Sequence, residues 1–244
     1  MTQEQNWDSR AEHYDKLFWT KDKDYIELIY KICEFEKSDI VLDVGVGTGA
    51  VANEISKKVA HVVGLDISGM MLSKGNWNGI SLIKWDIRNS LFAHNVFDKI
   101  IARMVFHHII DNIEVAAMRC YDNLKAGGKI VIAEGIPPTD DQDIFIWYAD
   151  MFRLKEERRT FNKSMLVELL RHTGFKNIII TEYIMQDFDI NNWLENSGLD
   201  EVIQDRIKSI HILASNKVKK AYNMKIDNGK IYVDTRNIIV TGVK

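Results

Sequence analysis

Proline and cysteine are almost absent from this chain of 244 residues, with two of each. The prolines stand side by side as Pro137-Pro138 and mark the one conspicuous joint. Cys33 and Cys120 lack any metal-type spacing, and two isolated thiols are read as buried residues and not as a bridge. No run of about eighteen apolar residues occurs, and the segment from Met1 to Asp8 is polar, so neither a membrane span nor a signal peptide is expected. The net charge of -3 supplies no field that would draw nucleic acid. Repeats and low-complexity tracts are also missing. What remains is a cytoplasmic protein expected to form a single domain over residues 1–244, with a core of its own and some elaboration.

The informative stretch is Leu42-Asp43-Val44-Gly45-Val46-Gly47-Thr48-Gly49-Ala50. An apolar run from Ile40 to Val44 reads as a buried strand that breaks into three glycines before a helix expected over residues 49–58. Glycine is required there because the turn needs unusual backbone dihedrals and because a ligand must approach main-chain atoms that a Cβ would block. The segment is a nucleotide-type cofactor loop. By itself it leaves two cofactors open, since Gly45-x-Gly47-x-x-Ala50 also satisfies the dinucleotide fingerprint with Asp66 near the ribose-binding distance. Tyr121-x-x-x-Lys125 adds to the case for a nicotinamide-dependent oxidoreductase.

Asp43-x-Gly45-x-Gly47-x-Gly49 resembles motif I of the class I S-adenosylmethionine-dependent methyltransferases, and three further segments agree in order. Gly64-Leu65-Asp66-Ile67-Ser68 resembles the end of the family's second strand, where an acid takes both ribose hydroxyls. Trp85-Asp86-Ile87 resembles the adenine-binding segment, and Leu124-Lys125-Ala126-Gly127-Gly128-Lys129 resembles the turn into strand five. The resemblance implies an α/β, Rossmann-like, seven-stranded sheet of order 3-2-1-4-5-7-6, with strand seven antiparallel. In that register Tyr121 and Lys125 enter strand five, which is not where a dehydrogenase places its catalytic pair.

The donor's ammonium, carboxylate and sulfonium also suit the acids better than a diphosphate would. Asp43 faces the ammonium, Asp66 accepts from the ribose diol and Asp86 from the adenine amine. Ile67, Met71 and Ile87 either sandwich the ring or are ordinary core. Trp7-Asp8-Ser9-Arg10-Ala11-Glu12-His13-Tyr14-Asp15 resembles the cofactor-covering amino-terminal segment of the ubiquinone and menaquinone methyltransferase type, which makes Tyr14 a candidate contact or a surface anchor. The carbonyl of Arg103 would approach the ammonium, and its side chain is a candidate to reach the acceptor.

Residues 136–160 and 187–229 exceed what a minimal sheet domain needs. Both follow strands that end at the carboxyl edge, so they are read as helical lid insertions over the substrate. In the first, Phe145, Tyr148 and Phe152 recur at helical spacing, either as a stripe on the sheet or as a pocket wall. Arg153, Arg158 and Arg159 belong either to a solvated charged face or to a clamp for phosphate, phosphonate or carboxylate. In the second, residues 200–222 read as one amphipathic helix that closes over the domain or pairs with another subunit, so a homodimer is a candidate assembly. His107 and His108 follow strand four and are candidates for a general base, with at most one expected to face the pocket. No metal is expected. The reading is methyl transfer from S-adenosyl-L-methionine, leaving S-adenosyl-L-homocysteine, to a small acceptor, with a phosphate-, phosphonate- or carboxylate-bearing one as the candidate the arginines offer, and with oxygen ahead of nitrogen and carbon. The alternatives are an oxidoreductase or a catalytically silent cofactor-binding scaffold.

Overall fold

A computed structural model describes residues 2–244. Five strands come first, with a helix between each pair except the third and fourth: β1 (Ile40–Val44), β2 (His61–Asp66), β3 (Ile80–Lys84), β4 (Phe97–Arg103) and β5 (Leu124–Ile136). They pair in parallel in the order β3-β2-β1-β4-β5. The sheet continues through β8 (Lys230–Val243), antiparallel to β5, and ends on β6 (Lys176–Asp189). This is the expected seven-strand order with an antiparallel last strand. An eighth strand, β7 (Lys225–Asp227), folds onto β8 as a hairpin. Its turn is Asn228-Gly229, both with positive φ, the conformation that a tight two-residue hairpin demands.

Alternation along the central strands sorts their side chains onto two helical layers. Leu42, Ile100, Ile130 and Ile132 point to one face, where they meet α5 (Ile113–Asn123) and α7 (Lys163–Thr173) through Ala117, Cys120, Leu166 and Leu170. Val41, Ile101, Val131 and Ala133 point to the other face and meet α2 (Lys23–Cys33) and α3 (Ala52–Ile55). Cys33 and Cys120 are both free and buried, one in each layer.

A third apolar cluster lies at the carboxyl edge of the strands. It unites α6 (Gln142–Lys155), α8 (Ile190–Glu195), α9 (Glu201–Ile212) and α10 (Asn216–Ala221) through Ile144, Met151, Trp193, Leu194, Ile207 and Val218. The two expected insertions therefore pack against each other as one layer. The single helix expected over 200–222 is two, because the chain leaves the helix after Ile212 and Ser215 caps a new one by accepting from the Val218 N–H.

The helix expected from Gly49 is also shorter. Gly49 adopts φ +90 and donates its N–H to Val46, so residues 45–51 wind as turns and only Ala52–Ile55 is helical. Before β1, α1 (Gln3–Arg10) is capped by Thr2 and followed by a short helical turn at Tyr14–Lys16. α4 (Gly69–Lys74) is capped by Ser68, which accepts from the Met71 N–H.

Candidate active site

The glycine loop is fastened from beneath by β2. The N–H groups of Gly45 and Val46 both donate to the Leu65 carbonyl, at 2.7 and 3.0 Å. The Asp66 carboxylate then spans the turn, with Oδ2 accepting from the Gly47 N–H at 2.9 Å and Oδ1 from the Ser68 N–H at 2.8 Å. Gly45 has φ +68, and a Cβ there would lie 2.2 Å from Val105, so glycine is required on both grounds. Asp66, Ile67, Met71, Asp86 and Ile87 line a cleft of about 710 Å³ with Gly45 and Gly47. A smaller recess beside it is lined by Asp43, Thr20, Gly47, Tyr14 and Arg103.

Burial raises both carboxyls of this region. Asp43 is pushed up to about 7 by desolvation, opposed by Arg103, and Asp66 is raised by desolvation against its backbone hydrogen bonds. Burial would also raise Asp86, but the forked contact with Arg88 outweighs it and holds the carboxyl low. α1 closes the cleft: Gln3 and Trp7 line it, and Asp8 accepts from the Ser68 hydroxyl at 2.6 Å.

A second cavity of about 930 Å³ adjoins the cleft under the third layer. Its walls are largely apolar, among them Trp19, Met151, Phe188 and Trp193, together with Tyr148 and Phe152. Trp7, Tyr14, Met104 and His108 line both spaces and form their common wall. Met104 holds φ +57, an uncommon conformation for a non-glycine residue, at the point where β4 turns between the two spaces.

Charges collect at one side of this second cavity. The Glu156 side chain, 5% exposed, receives Arg10 at 2.6 Å and Lys155 at 2.7 Å, with Arg158 at 3.8 Å. Burial would raise the Glu156 carboxyl, but Lys155, His108, Arg10 and Arg158 hold it well below its usual range. Both histidines are pushed well below 6.5, first by burial and then by neighbouring charge. His107 Nδ1 lies 2.5 Å from Glu134 Oε2, and burial raises that carboxyl to about 7. Glu134 Oε1 also accepts from the N–H groups of Val105 and His107, so the acid clasps the turn after β4.

The methyltransferase domain model matches residues 42–132, which run from the first strand into the fifth. An uncharacterized protein of Methanocaldococcus jannaschii is 32% identical over 195 residues, covering 75% of this chain and 87% of that one. Phosphoethanolamine N-methyltransferase 2 of Caenorhabditis elegans is 28% identical over 164 residues, 63% of this chain but only 36% of that relative's length. Among solved structures, the YcgJ protein of Bacillus subtilis superposes with a TM-score of 0.81 at 18% identity, over 90% of this chain and 97% of that one. The chain belongs to the class I S-adenosylmethionine-dependent methyltransferases. S-adenosylmethionine is the cofactor of this family, and the acids and glycines brought together in the cleft fit it.

Against that family frame several sequence expectations change. Gly49 shapes the loop without lining the cleft; a Cβ there would meet Asn53 and Trp77, at 2.7 Å each. The Arg103 side chain is turned from the acceptor cavity and donates to the carbonyls of Trp19 and Thr20, at 2.9 and 3.0 Å. Arg153 is 77% exposed and paired with Asp150, because its helical position faces solvent. Arg159 is committed to the carbonyls of Ile109 and Ile110 and does not line the cavity. Of the three candidate arginines only Arg158 does. Both histidines, not one, reach the cavity, because a tight turn at Phe106–His108 brings their rings together, tilted at 49° with centroids 3.8 Å apart.

The structure also brings to the candidate site residues that sequence reasoning passed over: Trp7, Met104, Lys155 and Glu156 on the cavity wall, with Arg10 and Glu134 bound to wall residues. Trp7 and Arg10 lay within the quoted amino-terminal segment, and Lys155-Glu156 among the arginines read either as a solvated charged face or as an anion clamp. Nothing in the sequence singled out Met104. His107, His108 and Glu156 also bring ligand atoms within 4.8 Å of one another. Glu156 Oε2 is already shared by Arg10 and Lys155, and three cations there oppose a divalent ion.

Proposed function

We propose that this methyltransferase modifies a small, anionic acceptor held in the larger cavity, at oxygen in preference to nitrogen or carbon. The observation that carries this reading is the common wall of Trp7, Tyr14, Met104 and His108, across which a group bound in one space meets a group bound in the other. When bound, S-adenosylmethionine supplies a methyl group activated by its sulfonium. The chain's own residues position and dry the reaction. Asp66 receives the ribose hydroxyls, Asp86 the adenine amine and Asp43 the ammonium, while Ile67, Met71 and Ile87 enclose the ring. Tyr14 stands where the two spaces join and packs on Trp7 and Trp19. α6 and the helices after β6 act as the lid, with Tyr148 and Phe152 as acceptor wall.

Oxygen is favoured by electrostatics. Arg10, Lys155 and Arg158 against Glu156 leave a buried excess of positive charge, which disfavours an ammonium or its developing cation and welcomes an anion. The likeness to phosphoethanolamine N-methyltransferase 2 favours a second reading, a phosphate-bearing amine methylated at nitrogen. A homocysteine-release assay across anionic oxygen acceptors, phosphoethanolamine and neutral amines separates them. Turnover confined to cationic or neutral amines refutes the first reading, and turnover of phosphoethanolamine alone establishes the second.

A further inference from the structure

The acceptor cavity is built to receive an anion, yet offers no group suited to deprotonating one. Arg158 carries the first half of that statement. Its side chain is 6% exposed and stacks on Phe152 at 4.1 Å, while Nη2 has no hydrogen-bond partner among the described residues. A buried guanidinium N–H without an acceptor is costly, and a ligand oxygen would relieve it. Asn237 Nδ2 and the Tyr222 hydroxyl, also on the cavity wall, are unpartnered as well. Arg10 and Lys155 stand behind Glu156 on the same side, and the His108 ring connects this cluster to the wall shared with the cofactor cleft.

The second half comes from the histidines and Glu134. His107 is bound to Glu134, and Glu134 is occupied by the backbone of the turn it clasps. His108 packs against His107, and burial first, then His107, Arg158 and Lys155 against the pull of Glu156, oppose its taking a proton. An alcohol, phenol or ammonium would reach the site protonated and find no competent acceptor for its proton.

We propose, building on the methyltransferase reading, that the anion is itself the nucleophile: the acceptor is a small, largely apolar acid whose oxyanion, a carboxylate or a phosphate monoester, is held by Arg158 beside the common wall and methylated there to an ester. The oxyanion oxygen forms a bond to the methyl carbon as the carbon–sulfur bond breaks. The electron pair goes to sulfur, which becomes the neutral thioether of S-adenosylhomocysteine, and no proton moves. Arg158 directs one oxygen and leaves the other free to attack, Glu156 keeps Arg10 and Lys155 in place, and the aromatic walls take the apolar body.

The test uses the full chain with phenylacetate, benzyl phosphate, benzyl alcohol and benzylamine. With S-adenosylhomocysteine bound, either oxyanion should bind at least tenfold more tightly than the alcohol and the amine. Arg158→Gln should remove that preference without moving the affinity for S-adenosylhomocysteine, and Arg158→Lys should restore part of it. With labelled S-adenosylmethionine, the methyl placed on phenylacetate should leave as methanol in dilute alkali, whereas methyl on benzyl phosphate should resist it, which separates the two oxyanions. Equal binding of alcohol or amine, label recovered on nitrogen or in an ether, or no turnover of either oxyanion overturns the proposal. Loss of S-adenosylhomocysteine binding by the unaltered protein would instead overturn the methyltransferase reading beneath it.

Discussion

Asp66 is asked to do two things at once. Its oxygens hold the Gly47 and Ser68 N–H groups while their remaining lone pairs face the cleft. Hydrogen bonds to a charged group contribute about 1.5–3 kcal/mol each, so losing two ribose contacts should weaken binding by a hundredfold or more. Asp66→Ala is therefore expected to lose S-adenosylhomocysteine binding by calorimetry at least to that extent, and unaltered affinity would remove Asp66 from the site. Gly45 makes a separate prediction. Gly45→Ala adds a left-handed penalty of about 1–2 kcal/mol and an overpacking cost of about 1–3 kcal/mol against Val105. At about 2–4 °C per kcal/mol for a domain of this size, the melting temperature should fall by roughly 4–20 °C. Adding Val105→Ala should recover only the overpacking part. Full recovery would show that the backbone conformation costs nothing.

At the scale of elements, the end of β5 governs the turn after β4 through one buried acid. Glu134→Gln keeps an oxygen for the Val105 and His107 N–H groups and an amide for His107 Nδ1, so it should fold and melt within a few degrees of the parent. Glu134→Leu strands those two N–H donors, at about 1–3 kcal/mol each, and should lower the melting temperature by roughly 4–24 °C while disordering the histidine pair. Equal melting of the two variants would deny the clasp. Nothing in the sequence singled out Glu134. The core strands were legible because their apolar runs are short and bounded, and the strand order came from four motifs in register. The lid was harder. Residues 136–160 were read as a helical insertion, whereas α6 ends at Lys155 and the chain continues extended at Glu156. An extended segment alternates sides every residue, so Glu156 and Arg158 turn inward while Glu157 is exposed. Helical spacing could not have sorted Arg158 from Arg153 and Arg159.

For the molecule as a whole, charge is divided unevenly between surface and interior. The chain carries a net charge of -3, so its long-range field does not attract an anion, and recognition depends on the buried group of Arg10, Lys155 and Arg158. Buried pairs are screened far less than surface charges, whose fields decay over about 10 Å at 0.1 M salt. The KM for an anionic acceptor should then change less than about threefold as salt is raised, against the steep loss expected of surface steering. pH should act where salt does not. Burial pushes Lys155 down to about 8, against Glu156 and with Arg10 and Arg158 beside it. Below pH 8 the ammonium is present and the cation excess complete. Above it the charge is lost, so KM should climb by up to about tenfold per pH unit, while kcat falls later because a bound anion holds the proton on. His107 and His108 lie too low to take part, and Glu134, raised by its burial, titrates nearer 7. Lys155→Met separates these groups. It should raise KM at neutral pH and abolish the limb above pH 8, leaving any change near pH 7 to Glu134. A limb that persists in this variant would mean that some other group sets it, and that Lys155 is not part of the anion site.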